Sequence, residues 1–213
     1  MAGVFVTFEG GEGAGKSTQI ALLAEKLRAK GLVVTTLREP GGTVVGDRVR
    51  DLLLDPAHTG LDPRAELLLY EASRAELVAE EIVPRVAAGD VVLCDRFTDS
   101  TLAYQGFGRG LDLDGVRALN DWATGAVVPD VTILLDVDPV LGLARATGTV
   151  EPDRLEAEDI AFHVRVRDGF LALADADKSD RFVVIGADAS AEEVAAAVWE
   201  TLRWHPAMHG VLH

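Results

Sequence analysis

The segment with the clearest chemical signature runs from Gly10 to Ser17 and reads Gly-Gly-Glu-Gly-Ala-Gly-Lys-Ser. It matches the phosphate-binding pattern G-x-x-x-x-G-K-[ST] in full. Glycines let the backbone curl so that successive N–H groups point at phosphate oxygens, and the start of a following helix adds positive dipole. Lys16 is expected to reach the β- and γ-phosphates, and the Ser17 hydroxyl is expected to ligate Mg²⁺.

The surroundings of this segment support a site for a nucleoside triphosphate. An apolar run over 4–8 predicts a buried strand before it, and the apolar spacing of 18–27 predicts a helix after it. A glycine-rich turn that binds nothing is the alternative, and it does not need this strand and helix. The predicted ATP contacts are Gly10, Gly11, Glu12, Gly13, Ala14, Gly15, Lys16, Ser17 and Thr18.

Two carboxylates follow apolar strands and are candidates for holding Mg²⁺ together with Ser17. Asp95 ends the run over 91–95, and Asp136 ends the run over 131–136. Asp95 is preferred over Asp136 as the Mg²⁺ ligand because Arg96, which can bind a phosphate, directly follows it in the sequence.

Two further segments carry residues suited to a second ligand. Arg38-Glu39-Pro40-Gly41-Gly42-Thr43 follows the second predicted strand, where Pro40 and the glycine pair allow a tight turn. Tyr70 and Arg74 lie four residues apart on one predicted helix face. This pair could stack on a base and bind its edge, or Tyr70 could be a core residue with Arg74 in solvent.

The elements that must position these residues alternate along the chain. Apolar runs predict strands at 4–9, 33–37, 91–95, 131–136 and 182–185, and helical patterns occur near 16–30, 43–54, 64–88, 114–125, 156–176 and 190–204. Such alternation predicts a five-stranded parallel sheet covered by helices on both faces, a three-layer α/β/α fold of the P-loop NTPase class. Ligands of such sheets bind at the carboxyl ends of the strands.

Length and composition limit the organisation and the partners. The 213 residues fit one domain, 1–213, in which 146–152 lacks periodicity and is the candidate for a mobile segment. A net charge of −15 argues against nucleic acid or an anionic membrane as a partner. With neither a membrane-span pattern nor a signal pattern, we expect a cytoplasmic protein. The tail from residue 205 is expected to be frayed, and its three histidines are not expected to form a metal site.

The combined motifs resemble those of bacterial thymidylate kinases over about residues 4–205. The resemblance implies an enzyme that transfers the γ-phosphoryl group of ATP to dTMP, with Mg²⁺, in a homodimer. It also implies a lid that closes over ATP and a cis peptide bond before Pro40. The motifs that carry it are Phe8-Glu9-Gly10, Glu12-Gly13-Ala14-Gly15-Lys16-Ser17, Arg38-Glu39-Pro40-Gly41-Gly42-Thr43, Asp95-Arg96-Phe97 and Ala103-Tyr104-Gln105-Gly106.

The same resemblance implies roles for individual residues toward dTMP. Arg96, assisted by Arg50, would hold its phosphate, and Tyr70, where the family usually has Phe, would stack on thymine. Arg74, Thr101 and Gln105 would bind the edge of the base. Toward the sugar, Glu12 would address the 3′-hydroxyl and Tyr104 would crowd the 2′ position.

The sequence departs from the family pattern in its basic residues. Relatives place a catalytic basic residue in the phosphate loop or several arginines in the lid, whereas this loop has Gly13 and this lid has only Arg145 and Arg154. We predict that Arg154 supplies catalytic charge and that Arg145 lies near the adenine or its phosphates. The predicted catalytic set is Lys16, Asp95, Arg96 and Arg154, with Ser17 and Asp95 as metal ligands.

Two other functions remain open from the sequence. The same fold could phosphorylate another nucleotide or a small metabolite. Alternatively, the chain could be a nucleotide-binding regulator that has lost phosphoryl transfer, for which the small number of lid arginines is the only support. Neither alternative needs the thymine-binding residues as a set.

Overall fold

The centre of the molecule is a sheet of five parallel strands in the order β2-β3-β1-β4-β5. The structure is a computed structural model and describes residues 3–58, 60–146 and 152–212. Helices pack on the sheet, which confirms the predicted three-layer α/β/α architecture. The strands are β1 (Val4–Glu9), β2 (Val34–Arg38), β3 (Val91–Asp95), β4 (Val131–Asp136) and β5 (Phe182–Gly186).

The three central strands, β1, β3 and β4, are buried on both faces of the sheet, which explains why they read as continuous apolar runs. Successive side chains of a strand point to opposite faces. In β1, Val6 and Phe8 belong to a core cluster with residues of the helices Lys16–Arg28 and Ala191–Trp204, whereas Phe5 belongs to a second cluster. The Phe5 ring packs edge-on against Phe97, with 5.0 Å between the ring centroids.

The helices follow the predicted order, with three additional α-helices that the sequence did not predict. Two stretches are π-helical: Val78–Ile82, of five residues, and Leu102–Gly108, of seven residues. The α-helices are α1 (Lys16–Arg28), α2 (Val44–Leu54), α3 (Pro63–Leu77), α4 (Val83–Ala88), α5 (Thr98–Thr101), α6 (Leu113–Thr124), α7 (Pro139–Ala146), α8 (Ile160–Ala176), α9 (Ala191–Trp204) and α10 (His209–Leu212).

The helical segment from α5 through Leu102–Gly108 is absent from the sequence prediction. Its residues show no ordinary amphipathic pattern because polar side chains of this segment face inward. Thr101, Tyr104 and Gln105 are all at least 97% buried. Helix α7 is likewise absent from the prediction, since it falls at the start of the expected lid.

The expectation of a frayed tail is wrong for the part of it that the structure describes. Pro206–Met208 forms a 3-10 turn, and α10 follows it. Met208 is 1% exposed and joins the core cluster that α9 contributes to. Burial of the Met208 side chain therefore holds the tail against the domain.

The sheet places the predicted site residues at one edge. The carboxyl ends of β1, β2 and β3 lead directly into Gly10, Glu39 and Arg96. The peptide bond between Glu39 and Pro40 is cis, as predicted. Among the described residues no helix is long and apolar enough to cross a membrane.

Candidate active site

The loop between β1 and α1 has the curled backbone that its glycines predict. Gly13 and Gly15 have positive φ angles of 63° and 89°. A Cβ atom on Gly13 would lie 1.9 Å from the carbonyl oxygen of Gly142 in α7. Packing against α7 therefore explains why this position cannot carry the basic residue that relatives place in the loop.

Lys16 lies inside this curl. Its Nζ donates to the carbonyl oxygens of Gly10 and Gly11, at 3.1 and 2.9 Å. Burial, with the nearby Arg96, lowers the pKa of Lys16 despite the neighbouring carboxylates. The ammonium group is thus held by carbonyl oxygens alone and is available to bind an anionic phosphate.

Ser17 and Asp95 lie together at the mouth of the loop. The Ser17 hydroxyl donates to Oδ2 of Asp95 over 2.7 Å. The rival carboxylate, Asp136, accepts two hydrogen bonds from Arg167, at 2.6 and 2.8 Å. The geometry therefore favours Asp95 over Asp136 as a partner of Ser17.

This pair has the donor chemistry of a Mg²⁺ site, since Mg²⁺ prefers oxygen ligands and usually binds through one or two carboxylates plus substrate phosphates. Within the described ranges, no group of three or more His, Cys, Asp or Glu side chains could form a cage of protein ligands alone. The residues present fit an ion completed by phosphate and water.

Arg96 leaves β3 with a positive φ of 70° and turns its guanidinium back over the loop. Its Nη1 donates to the carbonyl oxygen of Gly10 at 3.0 Å, and its Nη2 donates to Oε1 of Glu12 at 2.8 Å. The Tyr104 hydroxyl donates to the same Glu12 oxygen at 2.6 Å. Although burial alone raises it, the charges of Arg96 and Lys16 and the Tyr104 hydrogen bond lower the pKa of Glu12 to about 2.

One cavity of about 700 Å³ joins the loop to the other predicted motifs. Its volume is within the range of small-molecule sites. It is lined by loop residues and Arg145, by Asp95 and Arg96 beside the loop, and by Arg38, Arg50 and Tyr70. Arg50 also donates to the Pro40 carbonyl oxygen at 2.9 Å.

A second, narrow cavity of about 20 Å³ lies beyond Tyr70. Tyr70, Arg74, Thr101, Tyr104 and Gln105 contribute to its lining. The structure therefore brings together all the residues that were predicted to bind the base. As it stands, the space admits little more than a water molecule, so a base has to displace the lining side chains.

Arg74 is fully engaged by protein acceptors. Its guanidinium, 1% exposed, donates to Glu39 at 2.6 and 2.9 Å, to Glu71 at 3.0 Å and to the Phe97 carbonyl oxygen at 3.1 Å. It also donates to Thr101 and Asn120, both at 2.8 Å. The alternative of a solvated Arg74 is thereby excluded, and a direct hydrogen bond to a base requires one of these N–H groups to be shared.

The two arginines of the expected lid lie in different places. Arg145 lines the large cavity and donates to the carbonyl oxygens of Ala187 and Asp188, at 2.7 and 3.1 Å. Arg154 does not line the cavity: its Nη1 lies 2.6 Å from Glu66, and its Nε donates to the Leu53 carbonyl oxygen at 2.7 Å. The rest of the expected lid, 147–151, lies outside the described residues.

Comparison with known proteins decides the family. The sequence profile described as thymidylate kinase matches residues 8–198. The chain belongs to the thymidylate kinase family. A thymidylate kinase of Deinococcus radiodurans is 53% identical over 92% of this chain and 95% of its own length. A thymidylate kinase of a Synechococcus species is 55% identical over 93% and 94%.

A solved structure supports the same assignment. The crystal structure of thymidylate kinase from Ehrlichia chaffeensis is 37% identical and superposes with a TM-score of 0.79, covering 95% of this chain and all of that one. The fold and the family membership of this thymidylate kinase homologue thus rest on independent comparisons.

Two buried carboxylates at the site were not predicted. Glu66 in α3 is 0% exposed, accepts hydrogen bonds from Gln105 and Arg109, and forms an ion pair with Arg154. Glu9, also 0% exposed, accepts from the Phe97 N–H at 2.8 Å and from the Ser100 hydroxyl. Glu66 lies at a spacing of four from Tyr70 and of eight from Arg74, so the helix face shared with those residues was the available signal.

Proposed function

We propose that this chain transfers the γ-phosphoryl group of ATP to dTMP, giving dTDP and ADP. The observation that carries the proposal is the single cavity that runs from the phosphate loop to Arg50, Tyr70 and Arg96. It suits two anionic nucleotides that meet at their phosphates. Membership of the thymidylate kinase family, whose enzymes are nucleoside monophosphate kinases, supports the same reaction.

In the proposed reaction, an oxygen of the dTMP phosphate attacks the γ-phosphorus of ATP. The new P–O bond forms as the bond from the γ-phosphorus to the β,γ-bridging oxygen breaks, and that oxygen leaves with ADP. The attacking oxygen is already anionic, so no general base is needed. Catalysis then consists of positioning and of neutralising charge on the transferred group.

The residues around the cavity supply these effects in our proposal. Lys16 and the loop N–H groups would hold the ATP phosphates, and Arg145 would lie beside the adenosine. Arg96 and Arg50 would hold the dTMP phosphate as forked, permanently charged donors. Mg²⁺, held by Ser17 and Asp95, would offset negative charge on the ATP phosphates when bound.

The remaining residues are assigned to the nucleoside of dTMP. Tyr70 would stack on thymine, and Arg74, Thr101 and Gln105 would form its edge contacts. Glu12, ionised and held by Arg96 and Tyr104, would accept a hydrogen bond from the 3′-hydroxyl. Tyr104 would leave no room for a 2′-hydroxyl group.

The catalytic charge assigned to Arg154 requires a rearrangement. In the described conformation this guanidinium pairs with Glu66, so it reaches the transferred phosphoryl group only if that pair opens. We retain Arg154 as the proposed source of charge because the loop has Gly13 and because Arg145, the other arginine at the described ends of the proposed lid, donates to the carbonyl oxygens of Ala187 and Asp188.

The wider organisation is also a proposal. We infer one kinase domain, 1–213, with a lid at about 145–155 that closes over ATP, acting as a cytoplasmic homodimer. The exposed apolar side chains of Val45 and Leu52 on α2 and Leu68 on α3 support a contact with a second copy. The family resemblance supports the same organisation.

A coupled assay of ADP release tests the proposed reaction. We expect dTMP to be the fastest acceptor in a panel that also contains dUMP, UMP, dCMP, AMP and GMP. Faster turnover of a purine nucleotide would contradict the assignment of the base site. Tight binding of ATP and dTMP without ADP release would instead identify a nucleotide-binding regulator.

A further inference from the structure

Glu66 is a buried carboxylate behind the narrow cavity. Its two oxygens accept hydrogen bonds from Gln105 Nε2 at 2.8 Å and from Arg109 at 3.1 and 3.2 Å, and one of them forms an ion pair with Arg154 at 2.6 Å. Although burial alone raises it, the hydrogen bonds from Arg109 and Gln105 lower the pKa of Glu66. Glu66 is therefore ionised, and an ionised carboxylate can only accept hydrogen bonds.

This restriction fixes the orientation of the Gln105 side chain. Only the amide nitrogen of Gln105 can face Glu66, because its carbonyl oxygen would meet a second acceptor. Gln105 also lines the narrow cavity, and its Oε1 has no hydrogen-bond partner among the residues that the structure describes. Gln105 is thus set to act as an acceptor toward whatever enters the cavity.

Thr101 is constrained in the opposite sense. Arg74 donates to Thr101 Oγ1 over 2.8 Å, and a guanidinium can only donate. The hydroxyl hydrogen of Thr101 therefore remains free to donate. Thr101 lines the same cavity and lies four residues before Gln105 in a continuous helical segment, so the two side chains are neighbours.

Thr101 and Gln105 consequently present one donor beside one acceptor to the cavity. The complementary edge of a pyrimidine must offer an acceptor beside a donor, as O4 and N3–H do in thymine and uracil. Cytosine reverses both groups, because it carries an amino group at C4 and an unprotonated N3. Buried groups left without partners cost more than the hydrogen bonds gain, so this mismatch gives strong selection.

We propose that Glu66 is a positioning residue for base specificity. By forcing the Gln105 amide to present its oxygen, Glu66 selects the imide edge of thymine against the amino edge of cytosine. This inference rests on the proposed function and goes beyond it, since Glu66 itself does not contact the nucleotide.

The test compares dTMP with 5-methyl-dCMP, which differ only at the edge in question. For the unaltered protein we expect kcat/KM to favour dTMP by at least about 100-fold. In Glu66→Gln the new amide can donate as well as accept, so the side-chain amide of Gln105 is free to rotate by about 180° and present its nitrogen to the cavity. We expect the dTMP to 5-methyl-dCMP ratio to fall by about tenfold or more.

Two control variants distinguish a loss of base specificity from a general loss of order around Glu66. Arg109→Gln removes one of the ion pairs of Glu66 but keeps the carboxylate, and Glu66→Asp keeps an acceptor-only side chain. Both are expected to retain the ratio measured for the unaltered protein. The ratio of dTMP to dUMP, which share the imide edge, is expected to stay constant in Glu66→Gln.

An unchanged dTMP to 5-methyl-dCMP ratio in folded Glu66→Gln would overturn the proposal, as would an equal fall in Arg109→Gln. If Glu66→Gln does not fold, the double variant Glu66→Gln/Arg109→Gln, which also removes a guanidinium that would lose its carboxylate partner, carries the test. A fall in the ratio there supports the proposal, and an unchanged ratio overturns it. Failure of the proposed function is seen separately, because the unaltered protein would then not phosphorylate dTMP.

Discussion

The charged side chains around the cavity are buried in pairs. Arg96 pairs with Glu12, Arg74 with Glu39 and Arg154 with Glu66, each at 2.6–2.8 Å. Burying such pairs costs desolvation energy and adds little net stability. Their effect is to fix guanidinium groups in place before a ligand arrives, which lowers the ordering cost of binding.

Removal of the Lys16 ammonium tests the phosphate loop. In Lys16→Ala we expect kcat to fall by at least about 100-fold, because one fixed donor to the transferred group is lost. The melting temperature should change little, since Nζ contacts only two loop carbonyl oxygens. Lys26→Ala, an exposed lysine of the same helix, is the control and should keep the normal rate. A near-normal rate for Lys16→Ala would remove the loop from the mechanism.

The protonation of Glu9 gives a pH dependence of stability. Burial, with Asp99 nearby, raises the pKa of Glu9 from 4.5 to about 8. Between these values the folded protein holds a proton that the unfolded chain has released. The stability that Glu9 contributes is therefore fully present below pH 4.5 and decreases as the pH rises to about 8, by up to about 1.4 kcal/mol per pH unit.

Glu9→Gln removes the titrating group and keeps its size. Urea unfolding at several pH values between 5 and 8 should give a flatter dependence of the unfolding free energy than in the unaltered protein. The same slope in both proteins would show that Glu9 does not hold the proton.

At the residue scale, the sequence predicts the residues that lie within motifs. It misses the residues that contact those motif residues only in the folded structure. Lys16, Ser17, Asp95 and Arg96 follow from local patterns whose chemistry is set by neighbours in the chain. Glu66 acts through Gln105, 39 residues away, and only the fold brings the two together. Its burial could not be read from the sequence, because glutamate on a helix is usually solvated.

At the scale of elements, the C-terminal end of the proposed lid is fixed to α2 and α3. Arg154 links them, through the Leu53 carbonyl oxygen and the Glu66 carboxylate. The segment that follows is held by Asp153, which accepts from the N–H groups of Leu155 and Glu156 at 2.8 and 2.9 Å. Movement of a lid thus has to begin on the N-terminal side of these contacts or break them.

Arg154→Ala tests both assignments of this residue. We expect a lower melting temperature, because Glu66 loses one of its buried partners. We also expect kcat to fall by more than about tenfold when measured well below the melting transition. A lower melting temperature with kcat within tenfold of normal would restrict Arg154 to a structural role.

The central strands were predictable because both of their faces are buried. β1, β3 and β4 match the predicted ranges, β2 is shifted by one residue, and β5 is one residue longer than predicted. The segment containing α5 and Leu102–Gly108 was not predictable, since its π-helical geometry and inward polar face break the usual helical period. The same irregularity places Thr101, Tyr104 and Gln105 at the cavity.

At the scale of the whole molecule, the exposed apolar residues of α2 and α3 predict a homodimer. We expect sedimentation equilibrium to give twice the mass of one chain. Leu68→Glu, at a side chain that is 56% exposed, should shift the protein toward the monomer. Val128→Glu, at an equally exposed apolar residue outside these helices, should not. A monomer in the unaltered protein at micromolar concentration would contradict the prediction.

The central claim is that two nucleotides meet at their phosphates within one cavity. A crystal structure with dTMP and a non-hydrolysable ATP analogue tests it most directly. We predict the triphosphate in the loop beside Lys16, thymine against Tyr70, and a dTMP phosphate oxygen about 3–3.5 Å from the γ-phosphorus. Occupied nucleotides with dTMP bound elsewhere, or with its phosphate turned away from the loop, would contradict the account.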